Sequence, residues 1–109
     1  MNDRAGTPHR AAFVLEIRPD RVADYVAAHA SVWPDMLAAL TAAGIRNYSI
    51  FLNGAQAFGY FEAEDLEGAR SHLEASVSSK RWQRAMADLL VEPVPTGGPE
   101  PLREIFRLD

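Results

Sequence analysis

Tyr25, His29 and Trp33, each four residues from the next, are the part of this sequence with the residue types and spacing to do chemistry. On a helix of 3.6 residues per turn they fall along one side. Val22, Val26, Val32, Met36, Leu37 and Leu40 recur at helical spacing on that side, so the stripe facing the interior carries an imidazole and a phenol. A histidine held against a packed wall suits acid/base work near neutral pH, because the residue type titrates at about 6.5. It equally suits a hydrogen-bonded core position, and spacing alone does not separate the two readings.

Pro34 bears on both. It has no N–H for the carbonyl of Ala30, and its ring crowds that carbonyl, so a helix running through it must bend or restart. One reading is a kink just after His29. The other makes Pro34 the first residue of a new helix, where the missing donor is harmless.

The elements that must position these residues follow in chain order. Residues 1–9 read as a flexible arm with little to bury, and His9 as a solvent residue. Residues 10–109 form one domain. Residues 10–18 read as a first strand with Ala11, Phe13, Leu15 and Ile17 on one side and Ala12 and Val14 on the other. Asp20 is placed to N-cap the central helix, which Gly44 closes. Residues 45–52 alternate as a strand with Tyr48 on the more apolar face, and Asn53-Gly54 signals a hairpin returning through residues 57–62. Glu64 and Asp65 open a second helical region that weakens over residues 76–79 and resumes with Trp82, Met86, Leu89 and Leu90 on one side. Lys80, Arg81, Arg84 and His72 belong in water. Pro93, Pro95, Gly97, Gly98, Pro99 and Pro101 make a stiff crossing able to lie over a pocket as a lid, and residues 102–108 read as a last strand. Strand, helix, strand, strand, helix, strand is the ferredoxin-like βαββαβ arrangement, an α+β fold whose antiparallel sheet carries its helices on one face. Apolar residues on both sides of the first strand predict that a second copy covers the other face, giving a homodimer.

Composition narrows the function classes. The 109 residues are 48% hydrophobic and 24% charged, ordinary for a globular domain. Eleven basic against fifteen acidic residues give a net charge of −4 with no dense basic cluster, which argues against nucleic acid as a partner. The chain has no cysteine, which removes disulfides, thiolate metal sites and covalent cysteine chemistry. No apolar run is long enough for a membrane span and residues 1–9 lack a secretory signal core, so the expected location is the cytoplasm.

Residues 11–15 (Ala-Ala-Phe-Val-Leu), His29 followed by Val32-Trp33-Pro34, residues 47–50 (Asn-Tyr-Ser-Ile) and residues 102–106 (Leu-Arg-Glu-Ile-Phe) resemble the L-rhamnose mutarotase family, in that order and at similar separations over nearly the whole chain. The resemblance implies a dimeric α/β barrel and an isomerase that interconverts the anomers of a sugar hemiacetal. One group takes the proton of the C1 hydroxyl, another protonates the ring oxygen, the ring opens, C1 turns and the ring closes. No cofactor or metal is required. The resemblance implies His29 and Tyr25 as catalytic residues, and Tyr25, Tyr48, Trp82 and Gln83 as substrate-binding ones. Gln83 stands where the family has the second of two tryptophans, exchanging an aromatic face for an amide. Ala30 and Ser31 stand where the family often has asparagine and proline. The expected partner is therefore a small sugar, L-rhamnose or a related 6-deoxyhexose.

Two other readings remain. Small dimeric α/β barrels include cofactor-independent monooxygenases, whose pocket lacks sugar-binding polarity. A non-enzymatic dimeric ligand-binding module would keep His29 as a satisfied core residue beside a blocked cavity.

Overall fold

The computed structural model describes residues 9–95 and 97–108; the arm expected at the N-terminus lies outside them except for His9, which is exposed and opens the first strand. The elements run β1 (His9–Glu16), a 3-10 turn (Pro19–Arg21), α1 (Val22–Ala30), α2 (Pro34–Ala42), β2 (Arg46–Asn53), β3 (Gln56–Ala63), α3 (Leu66–Glu74) and α4 (Val77–Ala87). The three strands form an antiparallel sheet in the order β1-β3-β2. Each helical region of the sequence is thus a pair of shorter helices.

The breaks have local causes. Pro34 is the first residue of α2 rather than a kink within one helix, so the restart reading holds. In the second region Ser76 ends the gap and caps α4, its Oγ accepting from the N–H of Ser79 at 3.1 Å. Asp65 caps α3 in the same way, accepting from the N–H of Gly68 at 2.9 Å. Asp20, expected as the N-cap of the first helix, does not serve. It sits inside the 3-10 turn opened by Pro19, and α1 starts at Val22 without a side-chain cap. The C-terminus of α2 closes as expected: Gly44 has φ +86°, its N–H donates to Thr41 O, and the N–H of Ile45 donates to Leu40 O.

The hairpin forms one residue later than its signal. Asn53 still pairs with Gln56, and Gly54, at φ +61°, takes the strained turn position. At the other end of β2 the register shifts between Arg46 and Ser49, and Asn47 has φ +52°. This bulge adds one residue to β2. Ile45 and Tyr48, which simple alternation puts on opposite faces, therefore both reach the interior side.

Residues 102–108, expected as the last strand, take no strand conformation here. The N–H of Leu102 donates to Ala12 O at 2.7 Å and Arg10 pairs with Glu104, after which Ile105, Phe106 and Leu108 are exposed. The place beside β1 is instead touched by residues 89–91: Arg18 N–H donates to Leu89 O, Val91 N–H to Glu16 O, and Ile17 bridges Leu90.

All four helices cover one face of the sheet, and the interior divides into two apolar clusters. One gathers Ile17, Tyr25, Met36, Ala57, Trp82, Met86, Leu89 and Leu90. The other gathers Ile45, Ala63, Ala69 and Leu73 beneath α3. On the outer sheet face Val14, Phe58 and Phe51 form a cross-strand row, all exposed. Inside, Phe13 lies opposite Gly59, where a Cβ would fall within the Phe13 ring. Gly59→Ala should therefore destabilise the fold by about 1–3 kcal/mol through overpacking. Denaturant unfolding of that variant checks this, and Phe13→Leu in the same background should recover part of the loss.

Candidate active site

Tyr25 and His29 come one turn apart from α1, Tyr48 from β2 just past the bulge, and Trp82 and Gln83 from the middle of α4. All five line one narrow recess between helices and sheet, together with Phe13, Leu15, Ile50, Met86, Leu90 and Val94. That recess lies against a larger cavity of about 510 Å³, which His29, Tyr48, Trp82 and Gln83 also line. The cavity runs between the two core clusters, past Met36 and Leu40 toward Ile45, Leu66 and Leu73, and Gly97, Gly98, Pro99 and Pro101 of the proline-rich crossing form part of its wall. A volume of this size lies in the range of small-molecule sites.

His29 is half-buried and held on three sides. Its Nδ1 is 2.8 Å from the carbonyl oxygen of Tyr25. A carbonyl only accepts, so Nδ1 carries the proton and donates, which assigns the lone pair of the neutral ring to Nε2. The Tyr25 ring packs on the imidazole at 4.3 Å between centroids, tilted by 33°. Trp82 meets it at 5.4 Å, nearly perpendicular. Edge-to-face contacts of this kind hold orientation as well as burying area.

Behind Trp82 stands Trp33, 5.1 Å away at 88°, with the Arg81 guanidinium 5.0 Å above the Trp33 ring. Arg81 also donates to Asp35 at 2.9 Å, and Ser78 Oγ donates to the same carboxylate at 3.0 Å. The Ser78 hydrogen bond first, then the charge of Arg81, holds the Asp35 carboxyl below its ordinary pKa. These exposed contacts tie the start of α2 to α4, though each is worth little alone.

The two phenols are shifted the other way. Tyr25 is 5% exposed, and burial raises its pKa. Tyr48 shows a flank of its ring to solvent, 38% exposed, but its hydroxyl end is enclosed. Burial first, and then the neighbouring Tyr25, push its pKa well above the usual tyrosine value. Both therefore stay protonated and able to donate. Phe13, at 6.2 Å and 89°, and Phe61, at 5.3 Å, wedge the Tyr48 ring in place.

Asn47, beside Tyr48 on β2, is exposed and donates to Glu62 Oε1 at 2.8 Å. Its contribution is the bulge that turns Tyr48 inward. Sequence reasoning missed Phe13 and Phe61 as supports of Tyr48 and Ser79 as a cavity-lining residue. The first strand's alternation already carried the signal for Phe13. Nothing local marked Ser79. Among the described residues no three His, Cys, Asp or Glu side chains converge as metal ligands, and no helix is long and apolar enough to cross a membrane.

With this geometry in view, comparison with known proteins is specific. The sequence profile of L-rhamnose mutarotase matches residues 10–108. An L-rhamnose mutarotase of Oceanobacillus iheyensis is 33% identical over 102 residues, covering 92% of this chain and 98% of its own. One from Opitutus terrae is 36% identical over 107 residues with the same coverage. The crystal structure of L-rhamnose mutarotase from Formosa agariphila superposes with a TM-score of 0.70 at 26% identity, over 93% of this chain and 99% of that one. Profile, relatives and superposition agree over nearly the full length, and the chain belongs to the L-rhamnose mutarotase family, whose members are carbohydrate isomerases.

Proposed function

We propose that this chain interconverts the α and β anomers of L-rhamnose or a related 6-deoxyhexose, using His29 as its proton-transfer group. The observation that carries the proposal is the arrangement at His29. Nδ1 is committed to the Tyr25 carbonyl, so the exchangeable nitrogen, Nε2, has no partner among the described residues, on a ring that lines the cavity. Nε2 takes the proton of the C1 hydroxyl as the C1–O5 bond breaks, leaving a carbonyl at C1. The proton needed at O5 comes from a second donor, the role proposed for Tyr25, whose ring packs against His29 in the same recess. A phenol of raised pKa is still a far stronger acid than an aliphatic alcohol, so it can neutralise a developing alkoxide. Rotation about C1–C2 and the reverse proton steps close the ring on the other face.

The other side chains fit binding roles. Trp82 offers an aromatic surface for the apolar side of a sugar, Tyr48 a protonated hydroxyl, and Gln83 an amide. An open cavity beside His29 supports an enzyme over a binding module with a filled core. The exposed row Val14, Phe58 and Phe51 supports burial of the outer sheet face by a second copy, and a cytoplasmic setting completes the reading.

His29→Ala should slow anomer exchange by roughly 10²- to 10⁴-fold with the melting temperature near wild type. Magnetisation exchange between the α and β signals of L-rhamnose, with and without protein, reads the rate. Full exchange in a folded His29→Ala protein ends the mechanism, and a fall in stability instead marks His29 as structural.

Gln83→Trp should shift the ranking among 6-deoxyhexoses toward L-rhamnose. The same exchange measurement on L-rhamnose and L-fucose tests it, and an unchanged ranking removes Gln83 from the binding surface.

Sedimentation at micromolar concentration should give about twice the 12.0 kDa of one chain. A single species at the monomer mass would show that the outer sheet face is not an interface between copies.

A further inference from the structure

Aromatic residues aside, Ser79 is the one buried residue among those described with a polar side chain, at 1% exposure. Its N–H is satisfied by the Ser76 cap, which also fixes its backbone in the first turn of α4. Its hydroxyl makes no hydrogen bond to any described residue, yet no buried side-chain oxygen or nitrogen is shut away without a partner. The two statements agree because Ser79 lines the cavity, where its Oγ keeps a small opening.

A hydroxyl in this position is a burden unless something in the cavity bonds to it. Desolvating an unpaired hydroxyl is unfavourable, and serine forms helix less readily than alanine. Packing alone would be better served by alanine. Ser79 is also one turn before Gln83 and three residues before Trp82, so the three share the inner face of α4. That face presents an aromatic ring flanked by two residues with hydrogen-bonding groups, and all three line the volume where a sugar would lie.

We infer that Ser79 is a substrate-binding residue that hydrogen-bonds one ring hydroxyl of the sugar, so that α4 reads the hydroxyl pattern through Ser79 and Gln83 together. The inference rests on the 6-deoxyhexose reading above. It adds a determinant of stereochemical choice among such sugars, because a hydroxyl turned to the other face of the ring would leave the Ser79 oxygen unpaired again.

The test compares wild type with Ser79→Ala, titrating each with L-rhamnose and with its 2-, 3- and 4-deoxy analogues by calorimetry, alongside thermal melts without sugar. The variant should bind L-rhamnose about threefold to tenfold more weakly, the range for one neutral hydrogen bond. For one deoxy analogue, the one lacking the bonded hydroxyl, wild type and variant should bind alike. The sugar-free variant should melt at the wild-type temperature or above, since the hydroxyl makes no hydrogen bond to a described residue and alanine favours helix. Ser79→Cys, which keeps the volume and only a weak donor, should fall between the two. Unchanged L-rhamnose affinity overturns the assignment, as does a drop in sugar-free melting temperature with every sugar weakened equally. A wild-type protein that neither binds nor interconverts any of these sugars overturns the mutarotase reading itself, a result seen without any variant.

Discussion

The missing N–H of Pro34 constrains everything around the site. Because α1 cannot continue through it, the chain ends one helix at Ala30 and starts another at Pro34, with Trp33 extended just before it, at ψ 138°. His29 thereby falls in the last turn of α1, where its ring bends back to the Tyr25 carbonyl. Trp33 is turned toward α4 and abuts Trp82, while Met36 and Leu40 carry the second helix onto the sheet. An unbroken helix would send these two halves of the stripe along one axis. Two helices let them close around a space.

That space stays open because its walls are held from behind. Tyr48 is wedged between Phe13 and Phe61, Trp82 between His29 and Trp33, and Phe13 has room only because residue 59 has no side chain. Close-packed supports of this kind leave a side chain few rotamers, so the polar groups at its tip are oriented before any ligand arrives. Enclosure by the same aromatic walls keeps the two phenols in their neutral form.

Much of this was legible in the sequence wherever the signal was local. The helical spacing of Tyr25 and His29, the Gly44 stop, the hairpin near Gly54 and the grouping of Trp82 with Met86 each follow from one or two residues and their neighbours. What escaped depends on partners distant in sequence. The bulge at Asn47 is set by the pairing of Arg46 with Glu62 and Ser49 with Tyr60, and nothing before Tyr48 announces an extra residue. Asp20 looked like a cap until Pro19 claimed the turn. Residues 102–108 alternate like a strand, but alternation does not supply a neighbour, and β1 spends part of its free edge on residues 89–91. Ser79 becomes visible only once its burial and its place on the cavity wall are known.

The bulge at Asn47 has a second effect, on solubility. β2 lies at the rim of the sheet, and a rim strand offers its free backbone groups as a template on which a stray chain can extend the ladder. Two features spoil that template. The left-handed residue breaks the repeat of donors and acceptors, and the exposed Arg46 and Asn47 add charge and bulk at that end of the rim strand. Restoring regular pairing there would straighten the rim and invite fibrous growth along it, with Phe51 and Leu52 already exposed nearby to reward the contact. The irregularity that aims one tyrosine inward thus also keeps neighbouring molecules from zipping onto the sheet.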